Sequence, residues 1–461
     1  MTAQLDLAQQ VLDLVRRLGG TQLEASVSVD RYATALTRFA NSFIHQNVAD
    51  DTTTVRLEVH AEGRTAAGST TLTSPEGLRD LVARTCEAVR LSPPDPGWPG
   101  LAPPAPLHGQ GGYDDATAAA SPQERAARVR AFVDAAGGLE TAGYCRTSSW
   151  HGAFANSAGQ AVAASTTEAA MDAIARRDGS DGVARQASVR LADLDGSVLG
   201  ARAAAKARAG TSPVELPPGR YEVVLEPCAA ADLLSNLAVW GFNGKFHAER
   251  RSFVELGADQ FDPSVTLVDD PFAPDSPGAA FDAEGTPKQR LVLVDAGTSV
   301  AVTHDRRTAA MAGGGARSTG HALPGERPFG AVAFHLRLLP AGGAATGEPD
   351  GVVDPAAAGL VGGVERGLLV TDVWYTRVLD PKTLVMTGLT RNGVWLIEDG
   401  KVTTPVQNLR FTQSYPQALG PGAVKAVGPV ASLQPSGWGL LWWSAPALHL
   451  ASWNFTGGAS G

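Results

Sequence analysis

The sequence predicts an α+β protein: an N-terminal α/β domain with a mostly antiparallel sheet, then a C-terminal β-rich domain. Three observations predict it. Strand-like segments follow one another in runs rather than alternating with helices, which is the α+β pattern. Gly (52) and Pro (30) are abundant, which favours turns and strand connections over long helices. The chain is 44% hydrophobic and 18% charged over 461 residues, enough apolar material for a sizeable core.

The elements follow in chain order. Residues 4–18 read as an amphipathic helix, because Leu5, Ala8, Val11, Leu12, Val15 and Leu18 recur at three- and four-residue steps and Gly19-Gly20 ends it. Glu24 to Val29 and Thr53 to His60 alternate as strands, with a second strand pair expected between them around Asn41. Ser74 is placed to cap a helix over 75–90, with Pro75 in its first turn. Seven prolines between 92 and 112 predict a long loop. A helix over 122–137 follows Ser121. Strands are expected near 138–149, 152–156, 161–171 and 183–190, then an Ala-rich helix to Ala209.

Thr211-Ser212-Pro213 and Pro217-Pro218-Gly219 mark the domain boundary, giving domains 1–212 and 213–461. The second opens with a strand to Glu226 and a helix over about 229–240. Strands are expected at 290–294, 299–303, 331–339, 367–375, 384–391, 393–398 and 401–405. Asp399-Gly400 joins the last two as a hairpin. Residues 341–357 read as a loop. Seven of the nine tryptophans, Trp438 among them, lie from Trp240 onward, a stock of aromatic surface for a core or an interface.

Several functional classes are excluded. With 38 basic against 47 acidic residues the net charge is −9, and nucleic acid is a poor partner without a basic face. No run of about 18 apolar residues occurs, so no membrane span is expected. Met1 to Ala8 lacks the basic start of a secretory signal. Cys86, Cys145 and Cys228 are odd in number and far apart, which fits a reducing, cytoplasmic setting rather than a disulfide framework. Two histidines one helical turn apart would point at one metal ion, but the nearest pair, His321 and His335, is too distant. Phosphate-binding glycine motifs and a nucleophile elbow are also missing.

The remaining candidates are dispersed. Asp282 and Glu284 can be read as an acid/base pair on one strand face or as solvated carboxylates of a turn. His304-Asp305-Arg306-Arg307 reads as a ligand clamp or an internally paired surface cluster. His321 is a loop histidine that could meet substrate or partner. His247 with Glu249 invites a metal reading but lacks a nearby third ligand. Trp240 could line a channel or an interface, and Cys228 reads as a buried, inert thiol.

Several segments in series carry a resemblance. They are Arg38-Phe39-Ala40-Asn41-Ser42 with Ile44-His45-Gln46, Asn243-Gly244-Lys245, Arg250-Arg251-Ser252-Phe253 and Phe281-Asp282-Ala283-Glu284-Gly285-Thr286-Pro287. Ser318-Thr319-Gly320-His321-Ala322, Gly367 to Thr371 and Gly393 to Gly400 complete the series. In this order they resemble the TldD/PmbA family, in its TldE (PmbA) branch, over nearly the whole chain.

The resemblance implies the PmbA/TldD-like fold and a heterodimeric zinc metallopeptidase. Its TldD partner carries HExxxH on the helix after the first strand of the C-terminal domain, and a late cysteine. Matched without gaps from Arg250-Arg251-Ser252, that motif falls on Ser235, Asn236 and Trp240. Asn cannot take a proton from a metal-bound water, and Trp offers only an indole N–H. The expectation is therefore a non-catalytic subunit with no cofactor of its own, zinc being held by the TldD-like partner. It would close the chamber and help bind an extended, unfolded peptide, with Trp240, His321, Asp282 and Glu284 as contact candidates. An independent hydrolase built on His321, Asp282 and Glu284 is the rival, and a peptide-binding scaffold without cleavage is the third reading.

Overall fold

The computed structural model describes residues 2–325, 329–341, 351–437 and 439–458; Trp438 and most of the expected 341–357 loop lie outside them. The first sheet is six-stranded and antiparallel throughout, in the order β3-β2-β1-β4-β5-β6. Its strands are β1 (Glu24–Ala40), β2 (Phe43–Ala61), β3 (Arg64–Thr70), β4 (Glu140–Asn156), β5 (Ala161–Arg177) and β6 (Ser180–Ser188). The two strand pairs expected between 24 and 60 are thus one long hairpin, turning at Asn41 and Ser42 with left-handed φ of 49° and 63°. The stretches near 138–149 and 152–156 are likewise one strand. In both places polar residues break the apolar alternation, yet neighbouring strands on either side keep the backbone paired.

Helix α1 (Ala3–Gly19) is capped by Thr2, and α2 (Pro75–Leu91) by Ser74. Their apolar stripes bury Val11, Leu12, Leu81 and Val82 against Val27, Val55 and Leu57 of the sheet. Each such side chain contributes about 1.5–3 kcal/mol on leaving water. A short α3 (Asp115–Ala118), then α4 (Pro122–Ala135) and α5 (Gly196–Ala209), cover the other end of the sheet. A capping box between Ser121 and Glu124 starts α4.

The second sheet has eleven strands among the described residues. They are β7 (Gly219–Leu225), β8 (Leu267–Asp269), β9 (Leu291–Asp295), β10 (Thr298–Ser299), β11 (His335–Leu338) and β12 (Arg366–Asp380). Then come β13 (Val385–Glu398), β14 (Lys401–Pro405), β15 (Leu409–Ser414), β16 (Val424–Leu433) and β17 (Trp442–Gly458). It is mixed: β7 runs parallel to β12 and β11 parallel to β17, and the other pairs are antiparallel. Helices α6 (Pro227–Asn236), α7 (Gly244–Ala248), α8 (Arg306–Ala312), α9 (Ala358–Val361) and α10 (Tyr415–Ala418) punctuate it.

The expected segments 384–391 and 393–398 are one strand, β13, and the 393–405 hairpin turns through Asp399 and Gly400 at φ 50° and 75°. Expected strands at 299–303 and 331–339 shrink to two and four residues, because loops take over their backbone bonds. Strands β8, β15, β16 and β17 carry no clear sequence signal; β17 is buried along most of its length and so lacks alternation. The largest core cluster lies between this sheet and α6, with Leu233, Leu234 and Leu237 against Val223, Leu368 and Leu448.

Candidate functional site

Helix α6 begins at Pro227, where a missing N–H costs nothing, and its Ala229–Ala231 run is strongly helix-forming. It continues into a π-helical turn, Leu237–Gly241. Such turns are rare and cluster at functional sites. Ser235, Asn236 and Trp240 all lie on this stretch. The Ser235 hydroxyl donates to the Asp232 carbonyl at 2.8 Å. The Asn236 amide donates to the same carbonyl at 2.9 Å and to Asp232 Oδ2 at 3.2 Å. Trp240 stacks on Phe246 at 5.5 Å and meets Phe329 at 5.7 Å. A hydroxyl, an amide and an indole, engaged in this way, do not fit a zinc ion. Among the described residues no three His, Cys, Asp or Glu side chains converge on a possible metal position.

What α6 carries instead is a polar row at i, i+4 spacing: half-buried Cys228 and Asp232, then buried Asn236. Asp232 accepts from Tyr415 Oη at 2.8 Å and from Thr376 Oγ1 at 2.9 Å. Burial pushes its carboxyl up to about 6 despite these donors. Cys228 meets Arg185 of β6, whose guanidinium also pairs with Asp172 and Asp372, each at 2.8 Å. Asn392 donates to Asp372 at 3.0 Å. Burial drives the Cys228 thiol far up, so it is no nucleophile at neutral pH.

Beside this row the two sheets are joined by a second buried group. Lys206 of α5 pairs with Glu226 and donates to Thr371 at 3.2 Å. Glu226 also accepts the Asp354 backbone N–H at 2.7 Å, and Arg202 pairs with Asp354 at 2.6 Å. Burial raises the Glu226 carboxyl although Lys206 works to lower it. Sequence reasoning missed these residues. The signal was a single lysine within an alanine run, a poor surface pattern but a fitting buried one.

Asp282, Glu284 and His321 are brought together elsewhere, in a loop wall near α8. Asp282 lies at a turn rather than on a strand, and it is not solvated: it is 2% exposed. It accepts the N–H groups of Glu284, Thr286 and Ala322 at 2.9, 3.0 and 2.9 Å. Glu284 accepts the Arg306 N–H at 2.9 Å. Burial raises both carboxyls of this coupled pair, and the Asp282 charge pushes Glu284 up further.

His321 is fully buried. Its Nδ1 lies 2.8 Å from Thr319 Oγ1. Its Nε2 is 3.0 Å from Asp269 Oδ1, bent away from a straight hydrogen bond. Lys288, equally buried, is 3.3 Å from the same oxygen, donates to Gly320 O at 2.9 Å and lies over the Phe334 ring. Burial works to raise the Asp269 carboxyl, but the Lys288 ammonium beside it holds it well below its ordinary range. Burial, then Lys288, lowers His321, leaving it neutral. His321 and Asp282 are therefore closed to a docking peptide in this conformation, whereas Trp240 and Glu284 are partly open.

The 304–307 cluster is neither a clamp for a ligand nor paired within itself. Arg307 forms a two-bond pair with Asp95 at 2.8 Å, and Arg306 donates to the carbonyls of Pro99 and Gly100. It fastens the proline-rich loop to the second half of the chain. His247, on α7, has Glu249 nearby, but Glu249 pairs with Arg251 and Lys245.

Residues 218–442 match the model of the PmbA/TldA metallopeptidase C-terminal domain. No curated protein sequence matches the chain. Among solved structures, TldE from Thermococcus kodakarensis is similar at a TM-score of 0.83 and 18% identity, with 99% of this chain and 100% of that chain covered. A candidate modulator of DNA gyrase from Thermotoga maritima is similar at 0.80 and 17%, covering 98% and 99%. Another, from Bacteroides thetaiotaomicron, is similar at 0.79 and 20%, covering 98% of each chain. At these identities the structural likenesses establish the fold.

Proposed function

Through its C-terminal half the chain belongs to the TldD/PmbA family, and from that premise we propose that it is the non-catalytic, TldE-like subunit of a heterodimeric zinc metallopeptidase. The observation that carries the reading is the chemistry at Ser235, Asn236 and Trp240. The hydroxyl and amide are spent on Asp232 and the indole on an aromatic stack. No side chain there can take a proton from a metal-bound water.

Zinc and the general base belong, on this reading, to a TldD-like partner. This chain supplies a rigid wall that closes the chamber and helps hold an extended peptide. Rigidity has a source: the buried Lys206–Glu226 pair ties α5 to the second sheet, and the partly buried Arg185–Asp372 pair ties the first sheet to the second. A wall fixed in this way excludes folded domains and admits disordered chains.

Co-expression with the TldD-like neighbour tests the proposal. Cleavage of an unstructured peptide should require both chains, with zinc retained by the complex and not by this chain alone. Full-rate zinc-dependent cleavage by the purified single chain would overturn it in favour of an independent hydrolase. Tight peptide binding with no partner and no cleavage would favour a scaffold.

A further inference from the structure

Strand β12 carries two consecutive aromatic residues, Trp374 and Tyr375, that are 44% and 61% exposed. Side chains of a regular strand alternate between faces, so neighbours in sequence point apart. Here a bulge intervenes. Tyr375 and Thr376 together oppose Gly388 of β13, between the pairs Trp374–Leu389 and Arg377–Thr387. Tyr375 takes a left-handed φ of 54°, and the two rings meet at 5.8 Å. Thr376 points the other way, to Asp232 of α6. Left-handed backbone is strained for a bulky residue, and such strain collects at functional surfaces.

Cations frame these rings. Arg391 lies over Trp374 and Arg377 over Tyr375, each 4.3 Å from the ring centroid. Arg410 of β15 lies in the same cross-strand row as Trp374, through Leu389. All three arginines are exposed, and among the described residues none pairs with a carboxylate. The carboxylates next to them are taken: Asp372 by Arg185 and Asn392, Asp380 by Lys382 and Thr383 of its own turn. In a chain of net charge −9 this is a cationic patch with an aromatic centre. Trp, Tyr and Arg are the residues that dominate binding at protein interfaces. A guanidinium laid on a ring keeps N–H groups free for a carboxylate.

We propose that this patch docks the TldD-like subunit, on a surface of that chain with an apolar centre ringed by carboxylates. The proposal rests on the reading of the chain as a subunit and names the face that meets its partner. Charge selects the occupant. A second copy of this chain joined through the same patch is disfavoured, because a two-fold axis would set three arginines against three. The strained bulge serves to present both rings to the partner at once.

The test titrates the purified full chain against its TldD-like neighbour and reads Kd by fluorescence anisotropy. Trp374→Ala should weaken association at least about thirtyfold, as loss of a dominant interface residue does. Arg377→Glu combined with Arg391→Glu should also weaken it strongly and remove most of its salt dependence. Tyr375→Gly relieves the left-handed strain, so association should weaken while the melting temperature stays level or rises. Arg17→Glu, at an exposed arginine of α1, should leave Kd unchanged. Unchanged affinity in the three patch variants, or an equal loss in Arg17→Glu, would refute the patch. So would a dimer of this chain that the same variants dissociate, or binding to phosphatidylserine vesicles that they abolish with the complex intact. Failure of the parent chain to bind its neighbour would remove the subunit reading and this docking with it. Association that survives the variants would remove the patch alone.

Discussion

Lys206→Met is the sharpest test of how the two sheets are held together. Methionine keeps most of the side-chain volume and deletes the ammonium. Glu226 then keeps the Asp354 N–H donor but loses its counter-ion, in a place where lysine and glutamate side chains are 1% and 3% exposed. Removing one partner of a buried pair costs about 3–5 kcal/mol, because the other charge stays desolvated. Thr371 also loses a donor.

The loss depends on pH in a fixed direction. The Glu226 carboxyl is already raised from 4.5 by burial, and without Lys206 it rises further. A raised folded-state value means that protonation favours the fold. The variant should therefore be most destabilised at neutral pH and recover toward the parent as pH falls to about 4.5. Urea unfolding at two pH values, followed by tryptophan fluorescence, measures this. Glu226→Gln in the same chain should restore part of the loss, since no buried charge then remains. A single-variant cost below about 1 kcal/mol, or a double variant costing the sum of the two singles, would refute the argument.

Three other outcomes follow from the geometry. Asp232→Asn removes a carboxyl raised from 3.8 to about 6, whose ionisation lowers stability as pH rises between those values; urea titrations should show the slope, about 3 kcal/mol in total, flattened in the variant. Arg307→Ala should cost about 1–2 kcal/mol and speed proteolysis within 95–100, read by limited digestion, because a two-bond partly buried pair fastens that loop. Trp240→Ala removes an aromatic stack worth about 0.5–1.5 kcal/mol beyond its buried area; peptide cleavage by the assembled complex should fall while the zinc content of the complex stays unchanged.

How much of this was legible in the sequence follows from the range of each interaction. Helices α1, α2 and α4 were readable because their stripes and caps lie within a turn or two of each other, as Ser74 and Ser121 show. The hairpin at Asp399-Gly400 was readable because left-handed backbone there favours those residues. Strand lengths were not. The middle of β1 and β2 is polar and half-exposed, and pairing supplied by β4 keeps β1 extended. At the site, the sequence placed Ser235, Asn236 and Trp240 on one helix and excluded histidine pairs. It could not pair Lys206 with Glu226, or Arg185 with Asp372, which lie 20 and 187 positions apart in the chain.

By itself, then, the sequence determined the fold class, the two-part order of helices and strands, and which residue types stand at each position of the candidate site. Only the tertiary structure decided which charges are buried and that Asp282 and His321 are closed to solvent. The physical reason is that propensity, capping and turn chemistry act between neighbours along the chain. Desolvation and ion pairing depend on what the fold brings alongside, and a linear pattern carries no record of that.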